Sequence, residues 1–415
     1  MAPGLLSAMR INHISFSSSG GAGVVAQELC RSQRELGLNS QETFLTDGDV
    51  KSVWKQRPQL LAAALVDFFL VRRRLKAPLF SLVRTGGALR LGSLYQGDDV
   101  IHHLHWTPGV LDHKTLVELK RLDAAVVWTL HDMWPLTGGC HHSLSCENFM
   151  SDCRSCPQVR AIARRSVAKS LQRKVATFDN WPRLRVVAPS NWIATQARRS
   201  AALRNVPIEV IPNPVHDVFF AQIGTRASRI EFGIPSDAFV FGLAAANPRD
   251  PVKGITRALR LLDAVHEYAR DRDIVVLLIG GGLMPSESHR VPVVQCGHVT
   301  SREQMASMFG LMDVFVSLSE VDTAPLVVAE ALASGIPLIC SAVGGLPEYV
   351  DSGRNGFSIV DDETFLEAAK SFIENDDQRR RMAQNARKFA EQQFQSSHVA
   401  AAYMSLYQSL LTSEH

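Results

Sequence analysis

The chain has no long apolar segment, because no run of about 18 or more apolar residues occurs in its sequence. A helix needs about 20 such residues to cross a bilayer, so no membrane-spanning helix is predicted. The beginning of the sequence also lacks the charged-then-apolar pattern of a secretory signal peptide. We therefore expect the protein to work in the cytoplasm.

An excess of charge of one sign is also missing. The 44 basic and 41 acidic residues leave a formal net charge of +3, which is too small to indicate binding to nucleic acid. The sequence shows no internal repeat at the spacing of solenoid proteins. A hydrophobic fraction of 46% with 20% charged residues is typical of a globular protein with an ample core.

Short apolar strands alternate with helical segments through both halves of the 415 residues. Such alternation indicates parallel sheets covered by helices, and the length favours two domains. Pro212 and Pro214 interrupt the pattern and predict a stiff link between the halves. We predict an α/β protein with two doubly wound, Rossmann-like domains facing a cleft, formed by residues 1–213 and 214–395.

The most informative segment is SEVDTAPLVVAEALASGIPLICSAVGGLPEYV, at residues 319–350. A predicted strand ends just before it, and Pro325 suits the first turn of the helix that follows, where its missing N–H needs no acceptor. The amides of Leu326 and Val327 then have no intrahelical acceptor and lie at the positive end of the helix dipole. A diphosphate would bind well at this position.

Two carboxylates flank this helix start. Asp322 lies in the loop before the helix, and Glu330 projects from the helix about a turn and a half later. The arrangement suits a nucleotide sugar, with the ribose hydroxyls on Glu330 and the sugar hydroxyls near Asp322. After the next strand, Gly344 and Gly345 allow backbone to approach a ligand closely.

The same segment resembles the acid-x7-Glu signature of the family-4 retaining glycosyltransferases, also called glycosyl transferases group 1, which have the GT-B fold. In that family the Glu on the helix holds the donor ribose, which matches Glu330. The first acid contacts the donor sugar, which matches Asp322; many members have Glu there, so the reach towards the sugar differs. The alternative is an ordinary βαβ unit with unrelated acids.

A basic loop follows the strand predicted at residues 239–245. It contains Arg249 and Lys253 next to Gly254. In the family an Arg and a Lys here neutralise the donor diphosphate, whose charge grows as the nucleotide leaves. Two surface charges without a ligand are the alternative. Because the phosphates would lie at the helix start, no divalent metal or other cofactor is expected to be required for catalysis.

Two segments of the first half lie at strand ends, where α/β folds place ligands. Gly20 and Gly21 precede a helix and would expose amides to an anion or a sugar. His131 directly follows the strand predicted at residues 124–130 and has the best position among the 14 histidines. In the family the glycine loop meets phosphate and acceptor, and a His at this position faces the donor sugar. Structural turns are the alternative at both places.

Four cysteines are clustered in the first half: Cys140, Cys146, Cys153 and Cys156. The last two form a C-x-x-C pair, and the set suits a structural zinc site, although the first pair is widely spaced. Free thiols and redox chemistry are the alternatives, and disulfides are not expected in a reducing compartment. The segment with its preceding THDMWPLTGGC resembles a subgroup that builds exopolysaccharide, including colanic-acid-type enzymes.

Two segments of the first half predict peripheral contact with an anionic membrane. Residues 60–76 are apolar and end in basic residues, and residues 160–174 are basic and helical. A core helix and a solvated charged surface are the alternatives. A lipid-linked saccharide acceptor would place the enzyme at the inner face of the cytoplasmic membrane.

The resemblance covers nearly the whole chain. It implies an enzyme that moves a sugar from a nucleoside diphosphate sugar to a hydroxyl of a saccharide, with retention of the anomeric configuration, in exopolysaccharide or other surface polysaccharide synthesis. It also implies that residues 396–415 pack back on the first domain, which would hold the acceptor. An inactive nucleotide-sugar-binding scaffold and a sugar-nucleotide epimerase are the alternatives of other classes.

Overall fold

The structure is a computed structural model. It describes residues 9–47, 61–62, 65, 69–71, 80–82, 97, 99–221, 226–282 and 289–412. The chain divides into two compact units, of which the first runs up to Pro214 and resumes at Ser397, and the second is Val215–Ser396. The change of unit therefore falls at the second proline of the predicted link.

The first unit contains a six-stranded parallel sheet with helices between its strands. The strands are β1 (Arg10–Ser17), β2 (Asn39–Thr46), β3 (Val100–Leu104), β4 (Ala125–Thr129), β5 (Leu184–Ala188) and β6 (Ile208–Val210). The helices are α1 (Gly21–Glu35), α2 (His113–Arg121), α3 (Ala161–Phe178) and α4 (Asn191–Arg199). The strand order is β2-β1-β3-β4-β5-β6. Strands β3 and β4 are buried along their whole length, as expected for a parallel sheet covered on both faces.

The second unit repeats this architecture. Its strands are β7 (Phe239–Ala244), β8 (Ile274–Ile279), β9 (Val293–Gly297), β10 (Val314–Ser317), β11 (Leu338–Ser341) and β12 (Gly356–Ile359). Its helices are α5 (Ile255–Tyr268), α6 (Arg302–Phe309), α7 (Leu326–Ala333), α8 (Asp362–Glu374) and α9 (Asp376–Phe394). The order β12-β11-β10-β7-β8-β9 is that of a Rossmann fold, so the direction of winding reverses between β7 and β10.

The predicted α/β class with two doubly wound, Rossmann-like domains is confirmed, and the strands predicted at residues 124–130 and 239–245 are observed as β4 and β7. Ser190 and Ser301 cap α4 and α6 as their side-chain oxygens accept from the amides of Ile193 and Gln304. Two strands were missed, β2 and β12. Both lie at an edge of their sheet and are only partly buried, so their apolar pattern is weak.

The last helix, α10 (Ser396–Thr412), packs on the first unit, as the fold prediction required. Its buried side chains include Tyr403, Leu406, Tyr407 and Leu410. The Tyr403 hydroxyl lies 2.9 Å from Thr129 Oγ1 at the end of β4. The helix therefore closes one face of the first sheet with both apolar and hydrogen-bonding contacts.

None of the helices that the structure describes is long and apolar enough to span a bilayer. The predicted apolar and basic segment at residues 60–76 lies mostly outside the described residues, and its basic end lies wholly outside them. The second basic segment forms the start and middle of α3. Lys174 in that segment is buried, with 3% of its surface exposed, so it does not belong to the basic surface that the sequence predicted.

Candidate active site

The loops after β7 and β10 are joined at the switch point of the second sheet. The first loop contains the short turn Pro251–Lys253, and the amide of Glu320 in the second loop donates to the Val252 carbonyl at 2.8 Å. Gly254 has a left-handed φ of 67°, and a Cβ atom there would lie 1.9 Å from the Leu318 carbonyl oxygen. Only glycine fits this contact, which fixes the basic loop against the end of β10.

Lys253 and Asp322 form an ion pair across these two loops. Lys253 Nζ lies 2.8 Å from Asp322 Oδ2, and the exposed fractions of the two side chains are 40% and 15%. Burial by itself would lower the pKa of Lys253, but the charge and hydrogen bond of Asp322 outweigh it, so the pKa is raised. Lys253 is therefore a fixed cation that is still reachable from solvent.

The two glycines after β11 hold the backbone of Asp322. A Cβ atom on Gly344, which has a φ of 60°, would lie 2.1 Å from the Asp322 carbonyl oxygen. The Gly345 amide donates to the same oxygen at 2.9 Å. The close backbone approach that the sequence predicted for a ligand is thus made by the chain itself. A direct role of Gly345 in donor binding stays a prediction.

Helix α7 begins one residue later than predicted, because Pro325 is the residue before its first turn. Leu326 and Val327 are the first two helical residues, and their amides have no intrahelical acceptor. Glu330 lies partly buried in the middle of the helix. Burial raises its pKa to about 7, and the charge of Arg302 offsets part of this rise. Arg302, at the start of α6, was not predicted from the sequence.

The remaining basic residue of the loop, Arg249, is exposed. Its backbone N–H donates to Asn247 Oδ1 at 3.1 Å, which turns the chain after β7. The structure thus brings Lys253 and Asp322 into contact beside the start of α7, whereas the role of Arg249 towards a diphosphate stays a prediction.

The glycine loop of the first unit lies between β1 and α1. Gly20 has a φ of 82° and a Cβ there would meet no atom within 4 Å, so conformation and not crowding favours glycine. Gly21 is the first helical residue, and no side chain caps this helix start. A Cβ on Gly23 would lie 2.3 Å from the Ser17 carbonyl oxygen, so α1 begins pressed against the end of β1.

His131 directly follows β4 and ends a row of hydrogen-bonded imidazoles, the others buried, that the sequence did not predict. Its Nε2 lies 2.9 Å from His105 Nδ1, and His105 Nε2 lies 3.0 Å from His13 Nδ1. Burial lowers the pKa of His131 to about 4, so its ring is neutral at pH 7. This contact depends on the parallel pairing of β1 and β3, whose alternate residues share one face, so no local signal in the sequence pointed to it.

Asp132, the residue after His131, organises the following turn. Its Oδ2 accepts from Trp106 Nε1 at 2.8 Å and lies 2.6 Å from His141 Nδ1, while its Oδ1 accepts from the Trp134 amide at 2.7 Å. Burial would raise the pKa of Asp132, but His141 and the amide lower it to about 2. This carboxylate therefore fixes the backbone that presents His131.

The four clustered cysteines are free thiols, and three of them are buried while Cys146 is partly exposed. Burial raises the pKa of Cys153 to about 12 and also raises the pKa values of Cys140 and Cys156. The Gly138 amide donates to the sulfur of Cys153. Among the described residues, no three of these sulfurs lie within 4.8 Å of one another. As placed, the thiols do not close around an ion.

Structural zinc at this cluster stays a prediction with a direct test. A tetrahedral zinc site would need the sulfurs to draw together and lose their protons. We expect about one zinc per chain in protein purified without chelator, and loss of that zinc in the Cys153→Ser Cys156→Ser variant. Cys296→Ser, in the second unit, is the matched control. Metal-free protein with four titrating thiols would reject the prediction.

Two protein families match this chain, one for most of each unit. Residues 19–218 match the family Glycosyltransferase Family 4, and residues 246–389 match the family Glycosyl transferases group 1. Together the two matches cover most of both Rossmann-like units and show a glycosyltransferase of the GT-B class. The chain belongs to the group 1 and family 4 glycosyltransferases.

Two curated relatives align with most of the chain. The putative colanic acid biosynthesis glycosyl transferase WcaC of Escherichia coli (strain K12) is 24% identical over 84% of this chain and 86% of its own length. The D-inositol 3-phosphate glycosyltransferase of Corynebacterium glutamicum (strain R) is 25% identical over 96% of this chain and 93% of its own.

Solved structures show the same fold at low identity. Sucrose-phosphate synthase from Thermosynechococcus elongatus has a TM-score of 0.67 at 16% identity, covering 98% of this chain and all of that chain (100%). Anabaena Alr3699/HepE in complex with UDP-glucose has a TM-score of 0.61 at 18% identity, covering 97% of this chain and 100% of that chain. These likenesses concern the fold.

Proposed function

We propose that this glycosyltransferase transfers a sugar from a nucleoside diphosphate sugar to a hydroxyl of a saccharide acceptor, with retention, in exopolysaccharide or other surface polysaccharide synthesis. The observation that carries the proposal is the Lys253–Asp322 ion pair at 2.8 Å beside the start of α7. It combines a fixed cation, a carboxylate and helix amides without an intrahelical acceptor at the switch point of a Rossmann-like sheet, where such folds bind nucleotides.

Each part of a nucleotide sugar has a partner in this arrangement. The diphosphate binds the amides of Leu326 and Val327 and the ammonium group of Lys253. The ribose hydroxyls bind Glu330, and a sugar hydroxyl binds Asp322. Lys253 already contacts Asp322, so the phosphate competes for this ammonium group and leaves Asp322 able to accept a hydrogen bond from the sugar.

The proposed reaction exchanges one bond at the anomeric carbon. The bond from this carbon to the diphosphate oxygen breaks, and a bond to the acceptor oxygen forms on the same face. The acceptor proton passes to the leaving phosphate oxygen, so no protein base is consumed. Lys253 and the α7 amides stabilise the growing negative charge, which is the largest effect that a preorganised site supplies.

The polysaccharide role rests on the relatives. WcaC is named for colanic acid biosynthesis, and Alr3699/HepE has been solved with UDP-glucose. Other relatives are D-inositol 3-phosphate glycosyltransferases. We choose a lipid-linked saccharide because the exposed face of α3 suits a membrane surface.

A screen of UDP-, GDP-, ADP- and TDP-sugars by thermal unfolding tests the proposed function. A true donor at a hundred times its dissociation constant should stabilise the protein by about 2.7 kcal/mol. The same donor should be hydrolysed slowly without acceptor, also in the presence of EDTA, and proton NMR of the first-formed sugar should show the donor's anomer. Stabilisation without turnover would favour an inactive scaffold, and conversion to an epimeric nucleotide sugar would favour an epimerase.

One face of α3 combines exposed apolar and basic side chains. Ile162 is 83% exposed, and Arg165 and Lys169 are exposed on following turns. Phe69 is 62% exposed. It lies beside the start of this helix, because the amide of Arg160 donates to the carbonyl of Leu70, the residue after Phe69, at 2.9 Å. We propose that this face binds an anionic membrane, with the apolar groups inserted and the cations at the headgroups.

Vesicle sedimentation tests this membrane contact. Each cation near an anionic surface is worth about 1 kcal/mol, so Arg165→Glu Lys169→Glu should lower binding to phosphatidylserine vesicles strongly. High salt should have the same effect. The control is Arg381→Glu Lys388→Glu, the same charge change on exposed residues of the second unit. Equal binding by both variants, or binding to neutral vesicles alone, would reject the proposal.

A further inference from the structure

A continuous hydrogen-bonded chain runs through the core of the first unit and ends at His131. Gln33 Oε1 lies 2.8 Å from His13 Nε2, His13 Nδ1 lies 3.0 Å from His105 Nε2, and His105 Nδ1 lies 2.9 Å from His131 Nε2. Gln33, His13 and His105 are buried, and His131 is partly exposed. The chain thus leads from an amide in the core to an imidazole at the end of a strand.

The amide of Gln33 determines which ring nitrogens donate and which accept along this hydrogen-bonded chain. Its oxygen also accepts from the Ser40 hydroxyl at 2.8 Å, and its NH2 group donates to the Tyr407 hydroxyl at 3.2 Å. With an oxygen facing it, His13 Nε2 carries a proton and His13 Nδ1 is an acceptor. His105 Nε2 must then donate, which leaves His105 Nδ1 to accept the proton on His131 Nε2.

The alternative uses of this cluster fit less well. His13, His103 and His105 offer three nitrogens within 4.8 Å of one another, but both nitrogens of each ring already have a hydrogen-bond partner. His103, for example, is bound to Tyr407 and Thr129 at 2.7 and 2.8 Å. A metal ion would have to replace these bonds in the core, so we assign the group no metal.

Proton conduction is also disfavoured. The chain ends at an amide oxygen, which does not take up a proton near neutral pH. Burial lowers the pKa values of His13 and His131 to about 4, so at pH 7 only about one ring in a thousand is charged. The chain holds protons in place and does not store or deliver them.

We propose that Gln33, His13 and His105 are positioning residues that lock His131 in the tautomer with the proton on Nε2, so that Nδ1 presents a lone pair to a sugar hydroxyl. His131 Nδ1 has no hydrogen-bond partner among the described residues. A locked acceptor selects a hydroxyl hydrogen and rejects a carbonyl or phosphate oxygen. The contact with a sugar rests on the proposed function, whereas the tautomer does not.

Nitrogen-15 NMR of the full chain labelled at histidine tests the lock without any substrate. His131→Asn identifies the His131 signals by their loss. At pH 7.5 we expect the His131 signals of a protonated Nε2 and an unprotonated Nδ1. In His105→Phe, which keeps a ring but removes both hydrogen bonds, His131 should show a mixture of tautomers. His105→Gln should restore the single tautomer, because its amide oxygen accepts and its NH2 group donates.

Protonated Nδ1 in the parent protein, or the same single tautomer in His105→Phe, would overturn the proposal. Turnover with the nucleotide sugar selected by the unfolding screen gives a second readout. In His105→Phe, His131 loses its one positioning hydrogen bond, which should lower kcat about five- to tenfold. His105→Gln should recover the parent kcat. In a His131→Ala background, His105→Phe should have no further effect on kcat. A further fall there would show a general structural role and overturn the positioning role.

Discussion

Lys253→Ala is expected to lower turnover by about a hundredfold or more while weakening donor binding much less. The reason is that charge on the leaving diphosphate develops mainly in the transition state, where a preorganised cation is worth most. The structure adds a second cause, because the variant leaves Asp322 without its partner at 2.8 Å. Steady-state kinetics with the selected donor separates kcat from KM and measures this difference.

Two control variants test whether the effect depends on a positive charge and on its position at residue 253. Lys253→Arg keeps the cation with a different shape and should recover part of the turnover, since phosphate accepts either group. Lys388→Ala removes an exposed lysine from α9 in the same unit and should change nothing. A raised KM with unchanged kcat for Lys253→Ala would show that Lys253 only holds the ground state.

Glu330→Gln is expected to weaken nucleotide-sugar binding and to remove its dependence on pH. Burial raises the pKa of Glu330 to about 7, so the carboxylate that accepts from ribose hydroxyls forms as the pH rises through this value. Affinity in the parent protein should therefore rise about tenfold from pH 6 to pH 8. Titration calorimetry at several pH values measures it, and a nucleotide sugar is used because its phosphates do not titrate in this range.

The same carboxyl should also affect stability, with the opposite dependence on pH. In the folded protein the pKa of Glu330 lies above the ordinary value of 4.5. The contribution of this carboxyl to the free energy of unfolding is therefore fully present below about pH 4.5 and is lost as the pH rises through about 7. The free energy of unfolding of Glu330→Gln should thus exceed that of the parent protein by at most about 3 kcal/mol at pH 8, and by little at pH 4.5. Glu367→Gln, exposed on α8, is the control. Identical unfolding curves for all three proteins would reject the buried-carboxyl argument.

The sequence was sufficient for the elements whose signals are local. Continuous apolar runs coincide with β8 and β10, and Ser190 and Ser301, which are favourable capping residues, stand directly before two helices. The segment with Asp322 was also identified, because Pro325, the helix and the following glycines are close together in the chain.

The sequence was insufficient where partners lie far apart in the chain. His13 and His105 meet only because β1 and β3 pair in parallel, and Gln33 is on a helix between them in sequence. Lys174 was interpreted as a surface charge, yet its ammonium group donates to the carbonyls of Trp134 and, at 2.9 Å, Thr137. Neither the histidine contacts nor those of Lys174 can be inferred from the sequence around these residues.

The position of α10 has a consequence for how the protein is made. The first unit is made of the residues up to Pro214 together with those from Ser397 onward, which the second unit separates in the sequence. During synthesis, the ribosome must therefore translate the whole second unit before Tyr403 and Tyr407 can reach Thr129, His103 and Gln33. Until then the first unit exposes part of its core to chaperones and proteases, whereas the second unit is complete earlier. Premature termination late in translation would thus damage the unit that was synthesised first.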